Sequence, residues 1–242
     1  WLKSKEGVYS CCPMPQRSKL AATSFALAFL ATAHWNQFSF ATHLVILQHG
    51  LRGTPHDLDY LARELQRRSS RRGQQRLLVH AGCRSADETA DGVAAGGERL
   101  ATEVKELVQQ HPTLQDISFV GNSLGGLYTR YAVGALLDAS GQEPETVAGL
   151  RPKAFVTIAC PHLGVRRFTF LPIPEVVQPA AGVVVGRTGT DLTLQDGSPP
   201  LLQQMTDPSG SFLRALRLFE RRGLYANLWG DFMVPFGSAA FE

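Results

Sequence analysis

This sequence of 242 residues has few cysteines, little net charge and few long apolar runs. The four cysteines match no zinc-ligand spacing and are too few for a disulfide framework. Residues 43–242 carry 20 basic and 20 acidic side chains, which argues against the broad basic face of a nucleic-acid-binding domain. An uncharged apolar run at residues 20–33 has 14 residues and is short for a membrane span of about 20. With these classes of protein excluded, we predict a single globular domain, since a chain of this length can bury its own core.

Residues 1–42 are predicted to form an N-terminal extension, with two interpretations open. Basic residues precede the apolar run, and Ala31-Thr32-Ala33 resembles a cleavage site, which is typical of a signal or transit peptide. The 19 residues before the run are long for a signal peptide, so an extension without a targeting role is the second interpretation. The start at Trp1 suggests a processed protein or a fragment. We expect an intracellular location, in the cytoplasm or an organelle.

Strands and helices alternate along residues 43–242, which we predict to be one domain. Short apolar runs predict five strands, at 43–50, 76–82, 117–123, 153–160 and 223–231. Apolar residues at helical spacing predict helices at 55–68, 92–110 and 124–138. This order is typical of βαβ units on a mostly parallel sheet with helices on both faces, an α/β fold.

The alternation breaks between residues 164 and 213, a segment rich in proline and glycine. We interpret it either as a lid or insertion over a site, or as an irregular surface excursion.

A glycine-flanked serine follows the third predicted strand, in Gly121-Asn122-Ser123-Leu124-Gly125. A Gly-x-Ser-x-Gly segment between a strand and a helix is the context of a nucleophile elbow. Small neighbours permit the strained turn, and the positive end of the following helix points at the reacting oxygen. Ser123 is therefore the predicted nucleophile, and a plain glycine-rich turn is the alternative.

The loop HGLRG, at residues 49–53, follows the first predicted strand and is the candidate oxyanion loop. Acyl transfer needs two backbone N–H groups for the charge that develops on the carbonyl oxygen. One comes from the residue after the nucleophile, Leu124, and the other from this earlier loop, where Leu51 is the predicted donor. Gly50 and Gly53 keep the loop tight, and His49 shapes it. An ordinary strand-to-helix turn is the alternative.

A triad acid and a histidine should follow the serine in that order. Asp231, which we expect at the end of the fifth strand, is the best-placed carboxylate, although a turn-forming aspartate is the alternative. All seven histidines precede Asp231. His162 is the nearest candidate for a substitute base, but we favour a loop histidine bonded to the backbone.

These motifs together resemble the serine esterases of the α/β-hydrolase superfamily, the lipase-like group called domain of unknown function 676. The resemblance covers residues 43–241 and rests on HLVILQHGLRGTPHDLDYLA, DGVAAGGERLATEV, FVGNSLGGLYTRYAVG, CPHLGV, TGTDLTLQD and GLYANLWGDFMVPFGSA. It implies a three-layer α/β-hydrolase fold and hydrolysis of acyl esters or lipids. By position it makes Ser123 the nucleophile, Asp231 the acid, and Leu51 and Leu124 the oxyanion donors.

The C-terminal end departs from this family, whose members continue past the NLWGD-like strand to a helix and the triad histidine. We favour an incomplete copy of an active enzyme, with a C-terminally incomplete fold. The alternative is a binding or regulatory module on a hydrolase scaffold. The predicted substrate is a small-molecule or lipid ester, and contact with a membrane or lipid droplet is an open expectation. No nucleic acid is predicted as a partner, because the charges balance, and no metal or cofactor is predicted, because no ligand cluster occurs.

Overall fold

The computed structural model describes residues 2–3, 9–10, 42–72, 76–85, 88–138, 144–165 and 180–242. The remainder of the predicted extension, including the run at 20–33, lies outside these residues, as does 166–179 of the predicted lid. No helix within the described ranges is both long and apolar enough to cross a membrane.

One sheet runs through the described part of the chain. Its seven strands are β1 (Leu2–Lys3), β2 (Tyr9–Ser10), β3 (His43–Gln48), β4 (Leu77–Ala81), β5 (Asp116–Asn122), β6 (Arg151–Ile158) and β7 (Arg221–Tyr225). They lie in the order β1-β2-β4-β3-β5-β6-β7. The β1–β2 pair is antiparallel, and every other neighbouring pair is parallel.

Helices follow the strands in alternation. A 3₁₀ helix (Pro55–Leu58) precedes α1 (Asp59–Arg72), followed by α2 (Val93–Gln110), α3 (Leu124–Ala135), α4 (Ala180–Leu192), α5 (Leu201–Gln204), α6 (Ser211–Leu218) and α7 (Phe236–Ala240). Gly186, at φ 62° and ψ −150°, kinks α4. The described part of the predicted lid, from residue 180 onward, is therefore largely helical.

The core lies on both faces of the sheet. Successive side chains of a strand point to opposite faces, and in β3 Leu44 and Ile46 enter the larger core cluster whereas Val45 and Leu47 enter the smaller one. The larger cluster includes buried residues of α2, α3 and α6, and the smaller one packs against α1. The sheet is thus sandwiched between two helical layers, as the near-continuous apolar strands predict.

Four of the five predicted strands occur where expected, but the fifth prediction is wrong in its extent. Strand β7 ends at Tyr225, so Asp231 does not end a strand. Strand β7 is the sheet's edge, and the residues after it are largely exposed: Leu228, Trp229 and Phe232 are 69%, 90% and 88% exposed. No further strand pairs with that edge in the described residues, so apolar sequence alone does not extend the strand.

Candidate active site

The strands of the parallel sheet end together at one side, which we call the carboxyl edge. Gln48 of β3 pairs with Gly121 of β5, Asn122 pairs with Ile158 of β6, and Ile158 pairs with Tyr225 of β7. The loops that leave these four strands therefore share one edge, where ligands bind in open α/β sheets.

Ser123 occupies a strained turn between β5 and α3. Its φ of 53° and ψ of −127° are rare for a residue with a side chain, and such strain is concentrated at functional sites. The Ser123 N–H donates to the Ile158 carbonyl at 2.8 Å, which ties the turn to β6. The serine is partly exposed.

Two glycines allow the chain to reverse so tightly. A Cβ at Gly121 would lie 2.5 Å from the Gly126 Cα, where strand and helix almost touch. A Cβ at Gly125 would clash with the carbonyl oxygens of Gln48 and His49. The close approach of α3 to β5 and to the end of β3 thus requires both glycines of the Gly-x-Ser-x-Gly segment, which is the steric reason that the elbow has this sequence.

The predicted donor Leu124 is the first residue of α3 and is 1% exposed. The first N–H groups of a helix have no acceptor within it and carry the positive end of the helix dipole. The Leu124 N–H is therefore available to an oxygen beside Ser123.

The predicted oxyanion loop packs directly on the elbow. A Cβ at Gly50 would lie 2.8 Å from the Ser123 Cβ and 3.2 Å from its Oγ. Residues 50–53 form a β-turn, in which the Gly53 N–H donates to the Gly50 carbonyl at 3.1 Å and Arg52 has a left-handed φ of 53°. The structure thus brings the oxyanion loop and the candidate nucleophile together.

The orientation of the Leu51 N–H follows from the carbonyl on the other side of the same peptide bond. The Gly50 oxygen accepts from His49 Nδ1 at 3.0 Å as well as from the Gly53 N–H. Because the peptide unit is planar, two bonds to the Gly50 oxygen fix the direction of the Leu51 N–H. They also polarise the unit and strengthen that N–H as a donor. His49 is fully buried, which fits its predicted role of shaping the loop.

Asp231 lies six residues beyond β7, in a turn that its own carboxylate stabilises. Its Oδ1 accepts the backbone N–H groups of Met233 at 3.1 Å and Val234 at 2.8 Å. Its Oδ2 accepts from Asn227 Nδ2 at 2.9 Å. These bonds are those of a turn-forming aspartate, and they hold the carboxylate in one orientation.

His162 is a buried structural histidine. Arg130 Nη1 donates to its Nδ1 at 3.2 Å, its Nε2 bonds Thr157 Oγ1 at 2.9 Å, and its ring stacks on Phe241 at 4.6 Å. Burial, together with the Arg130 charge, lowers the pKa of His162 to about 3. Side chains rather than the backbone hold its ring, and both nitrogens are engaged, so the structure favours a structural role over that of a base.

Three other described histidines bond to residues outside the site. His80 Nε2 bonds Glu103 at 2.6 Å, His43 bonds Ser118 at 2.8 Å, and His56 bonds Asp59 at 3.2 Å. In the part of the chain that the structure describes, no histidine hydrogen-bonds to Ser123 or Asp231. The candidate nucleophile and the candidate oxyanion donors thus lie together, and none of the described histidines bonds to them.

One residue of this site escaped the sequence analysis. The hydroxyl of Thr89 accepts the Arg52 N–H at 3.0 Å, within the turn that carries Leu51. Thr89 belongs to no recognised motif. The one sequence feature that could have pointed to Thr89 is the TGTDLTLQD segment. Its Thr188 hydroxyl donates a hydrogen bond to the Thr89 carbonyl at 2.7 Å.

Comparisons with known proteins give a family and several relatives. A family model described as "Putative serine esterase (DUF676)" matches residues 39–241. The chain is 34% identical over 212 residues to "Putative lipase C4A8.10" of Schizosaccharomyces pombe, covering 83% of this chain and 26% of that protein. It is 31% identical over 204 residues to "Putative lipase YDL109C" of Saccharomyces cerevisiae, covering 82% and 30%. The chain thus spans less than a third of the length of these relatives.

Among solved structures, the mature form of lipase BlEst2 from Bacillus licheniformis superposes with a TM-score of 0.48 at 18% identity, over 83% of this chain and 71% of that one.

Proposed function

The chain belongs to the DUF676 serine esterase family, whose α/β-hydrolase-type fold it has, and on that premise we propose that it hydrolyses carboxylic esters through an acyl intermediate on Ser123. One observation carries the proposal: Ser123 sits on a strained elbow in direct contact with Gly50 of a turn that presents backbone N–H groups. A glycine-rich turn without a catalytic role would not need this strain or this contact.

The proposed reaction has two steps. Ser123 Oγ attacks the ester carbonyl carbon while a histidine takes the hydroxyl proton; the C–O bond then breaks, and the alcohol leaves with that proton. Water next attacks the acyl-serine and releases the acid. The Leu51 and Leu124 N–H groups donate to the carbonyl oxygen as it gains charge. We assign the base to a histidine outside the described residues and its orientation to Asp231.

We propose a lipid-type ester as the substrate, because the two fungal relatives carry the name lipase. An acyltransferase would use the same elbow, and transfer of the acyl group to an added alcohol would identify it.

A catalytically impaired binding module is the second candidate. It is favoured by the lack of a hydrogen bond from any described histidine to Ser123 or Asp231. Such a module would bind lipid esters without turnover.

The test is labelling of Ser123 by a fluorophosphonate, together with hydrolysis of p-nitrophenyl esters by the complete native protein. We expect Ser123→Ala to abolish labelling and to lower kcat by about 10⁶-fold. Ser70→Ala is the matched control, since Ser70 lies exposed on α1, and it should behave as wild type. Hydrolysis that survives Ser123→Ala would refute the mechanism. Lipid binding without labelling would support the binding module.

A further inference from the structure

The TGTD segment of α4 and the loop before α2 are joined by buried hydrogen bonds that the proposed reaction does not use. Thr188 Oγ1 donates to the Thr89 carbonyl at 2.7 Å and accepts the Gly92 N–H at 3.0 Å, and Thr188 N–H donates to the Ala90 carbonyl at 3.1 Å. Thr188 is fully buried, and Thr89 is 5% exposed. Because these hydrogen bonds are buried, water does not compete for them, and they hold the two segments in a fixed relative position.

Two glycines make this fit close. Gly186 and Gly92 have left-handed φ values of 62° and 105°. A Cβ at Gly186 would lie 2.7 Å from the Ala90 carbonyl oxygen, and one at Gly92 would lie 2.9 Å from Asp191 Oδ2. The kink in α4 and the start of α2 are therefore shaped against each other.

The Thr89 hydroxyl extends this network to the oxyanion turn. It accepts the Arg52 N–H at 3.0 Å, and the Thr89 carbonyl also accepts the Tyr128 hydroxyl of the elbow helix at 3.3 Å. Arg52 has a left-handed φ, which is unfavourable for a residue with a Cβ and persists only where its surroundings impose it. The bond that the Arg52 N–H donates to the Thr89 hydroxyl supplies that constraint on the Leu51–Arg52 peptide.

We propose that Thr89 is a positioning residue for the oxyanion turn and that Thr188 holds Thr89 in place. This inference rests on the proposed function, because it gives the TGTD segment a role in presenting the Leu51 N–H to the transition state. Without the Thr89 hydroxyl, the Leu51–Arg52 peptide can rotate. The turn then loosens and weakens the Gly53-to-Gly50 bond that holds the neighbouring Gly50–Leu51 peptide, so the Leu51 N–H loses its alignment with the oxygen beside Ser123. This change weakens binding of the transition state but not of the ground-state substrate. We therefore expect kcat to fall and KM to stay unchanged.

The test compares Thr89→Val, which removes the hydroxyl but keeps the shape, with Thr89→Ser, which keeps the hydroxyl. In the complete native protein we expect Thr89→Val to lower kcat about 10- to 100-fold, below the 10²–10³ of a lost oxyanion donor. It should also speed hydrogen exchange at the Arg52 amide, and Thr89→Ser should restore both. Thr188→Val should act in the same direction, more weakly. Thr102→Val, at an exposed position of α2, is the matched control and should match wild type.

Each measurement can overturn the inference. A Thr89→Val protein with kcat within twofold of wild type, or with an unchanged Arg52 exchange rate, would refute it. Equal losses of kcat in Thr89→Ser and Thr89→Val would refute it too, and if Thr89→Val does not fold, Thr89→Ala replaces it. If the wild-type protein hydrolyses no ester, the proposed function fails independently, and the exchange rate of Arg52 still decides whether Thr89 positions the turn.

Discussion

At the scale of single residues, Gly50 leaves no room for a side chain beside Ser123. The absence of a side chain lets the oxyanion turn touch Ser123. This contact explains why a glycine follows His49, independently of any backbone conformation peculiar to glycine.

We predict that Gly50→Ala will lower kcat by about 10²-fold, because the added Cβ would lie 2.8 Å from the Ser123 Cβ and must displace one of the two. Ester hydrolysis by the complete protein would measure the loss. Gly197→Ala is the control: its nearest contact would be 3.5 Å away, and its activity should equal that of wild type. Full activity in Gly50→Ala would show that the turn and the serine move independently.

His162 gives a prediction about pH. Its pKa is about 3 in the folded protein, chiefly because it is buried, against about 6.5 in an unfolded chain. Between pH 6.5 and 3 the unfolded state therefore binds the extra proton, and the free energy of unfolding falls as pH falls. We expect a contribution of about 1.4 kcal/mol per pH unit at most.

Urea unfolding between pH 5 and 8 should therefore show a shallower acid-side slope for His162→Gln than for wild type. The neutral glutamine has no proton to gain. His56→Gln, at an exposed site, should keep the wild-type slope. Equal slopes for wild type and His162→Gln would mean that folding does not lower the pKa of His162.

At the scale of elements, the start of helix α2 is stabilised from another part of the chain. Gly92, the N-cap, has no side chain to bond the helix, and the Val93 N–H instead donates to Asp191 Oδ2 at 2.6 Å. A carboxylate at a helix N-terminus satisfies an open N–H and opposes the helix dipole. The α4 segment thus acts as a remote cap for α2.

We expect Asp191→Ala to lower the free energy of unfolding by about 1–2 kcal/mol, because the buried Val93 N–H loses its acceptor. Chemical denaturation would give the value. Asp207→Ala, which removes an exposed turn bond to Ser209, should cost much less. A loss at Asp191 no larger than that at Asp207 would mean that the cap adds nothing.

At the scale of the whole molecule, apolar side chains are exposed along and beyond β7. Tyr225, Leu228, Trp229, Phe232 and Met233 are each more than 60% exposed. The strand itself lies at the sheet edge. Exposed edges and contiguous apolar patches favour association between molecules.

Replacing Trp229 and Phe232 together by serine should therefore raise the concentration at which the 242-residue chain remains monodisperse in light scattering. Tyr60→Ser, at another exposed aromatic on α1 (75% exposed), is the control and should have little effect. If the double variant associates as readily as wild type, this surface is not what drives association.

The sequence by itself determined four of the five predicted strands and the tight glycine turn around Ser123. These features depend on local rules: side chains alternate along a strand, helical positions repeat at fixed spacing, and a tight turn requires glycine. Ser123, Gly121 and Gly125 lie within five residues, so their relation could be predicted from spacing alone. Strands β3, β4 and β5 are largely buried on both faces, and their apolar runs showed it.

Only the tertiary structure decided the partners of His162, the end of β7 and the support of the oxyanion turn. Arg130 reaches His162 across 32 residues, Thr89 reaches Arg52 across 37, and Thr188 reaches Thr89 across 99. No periodicity connects residues so far apart, because packing of the sheet and helices brings them together. Strand β7 ends early for a related reason: pairing and burial decide where a strand ends, and Leu228, Trp229 and Phe232 have neither.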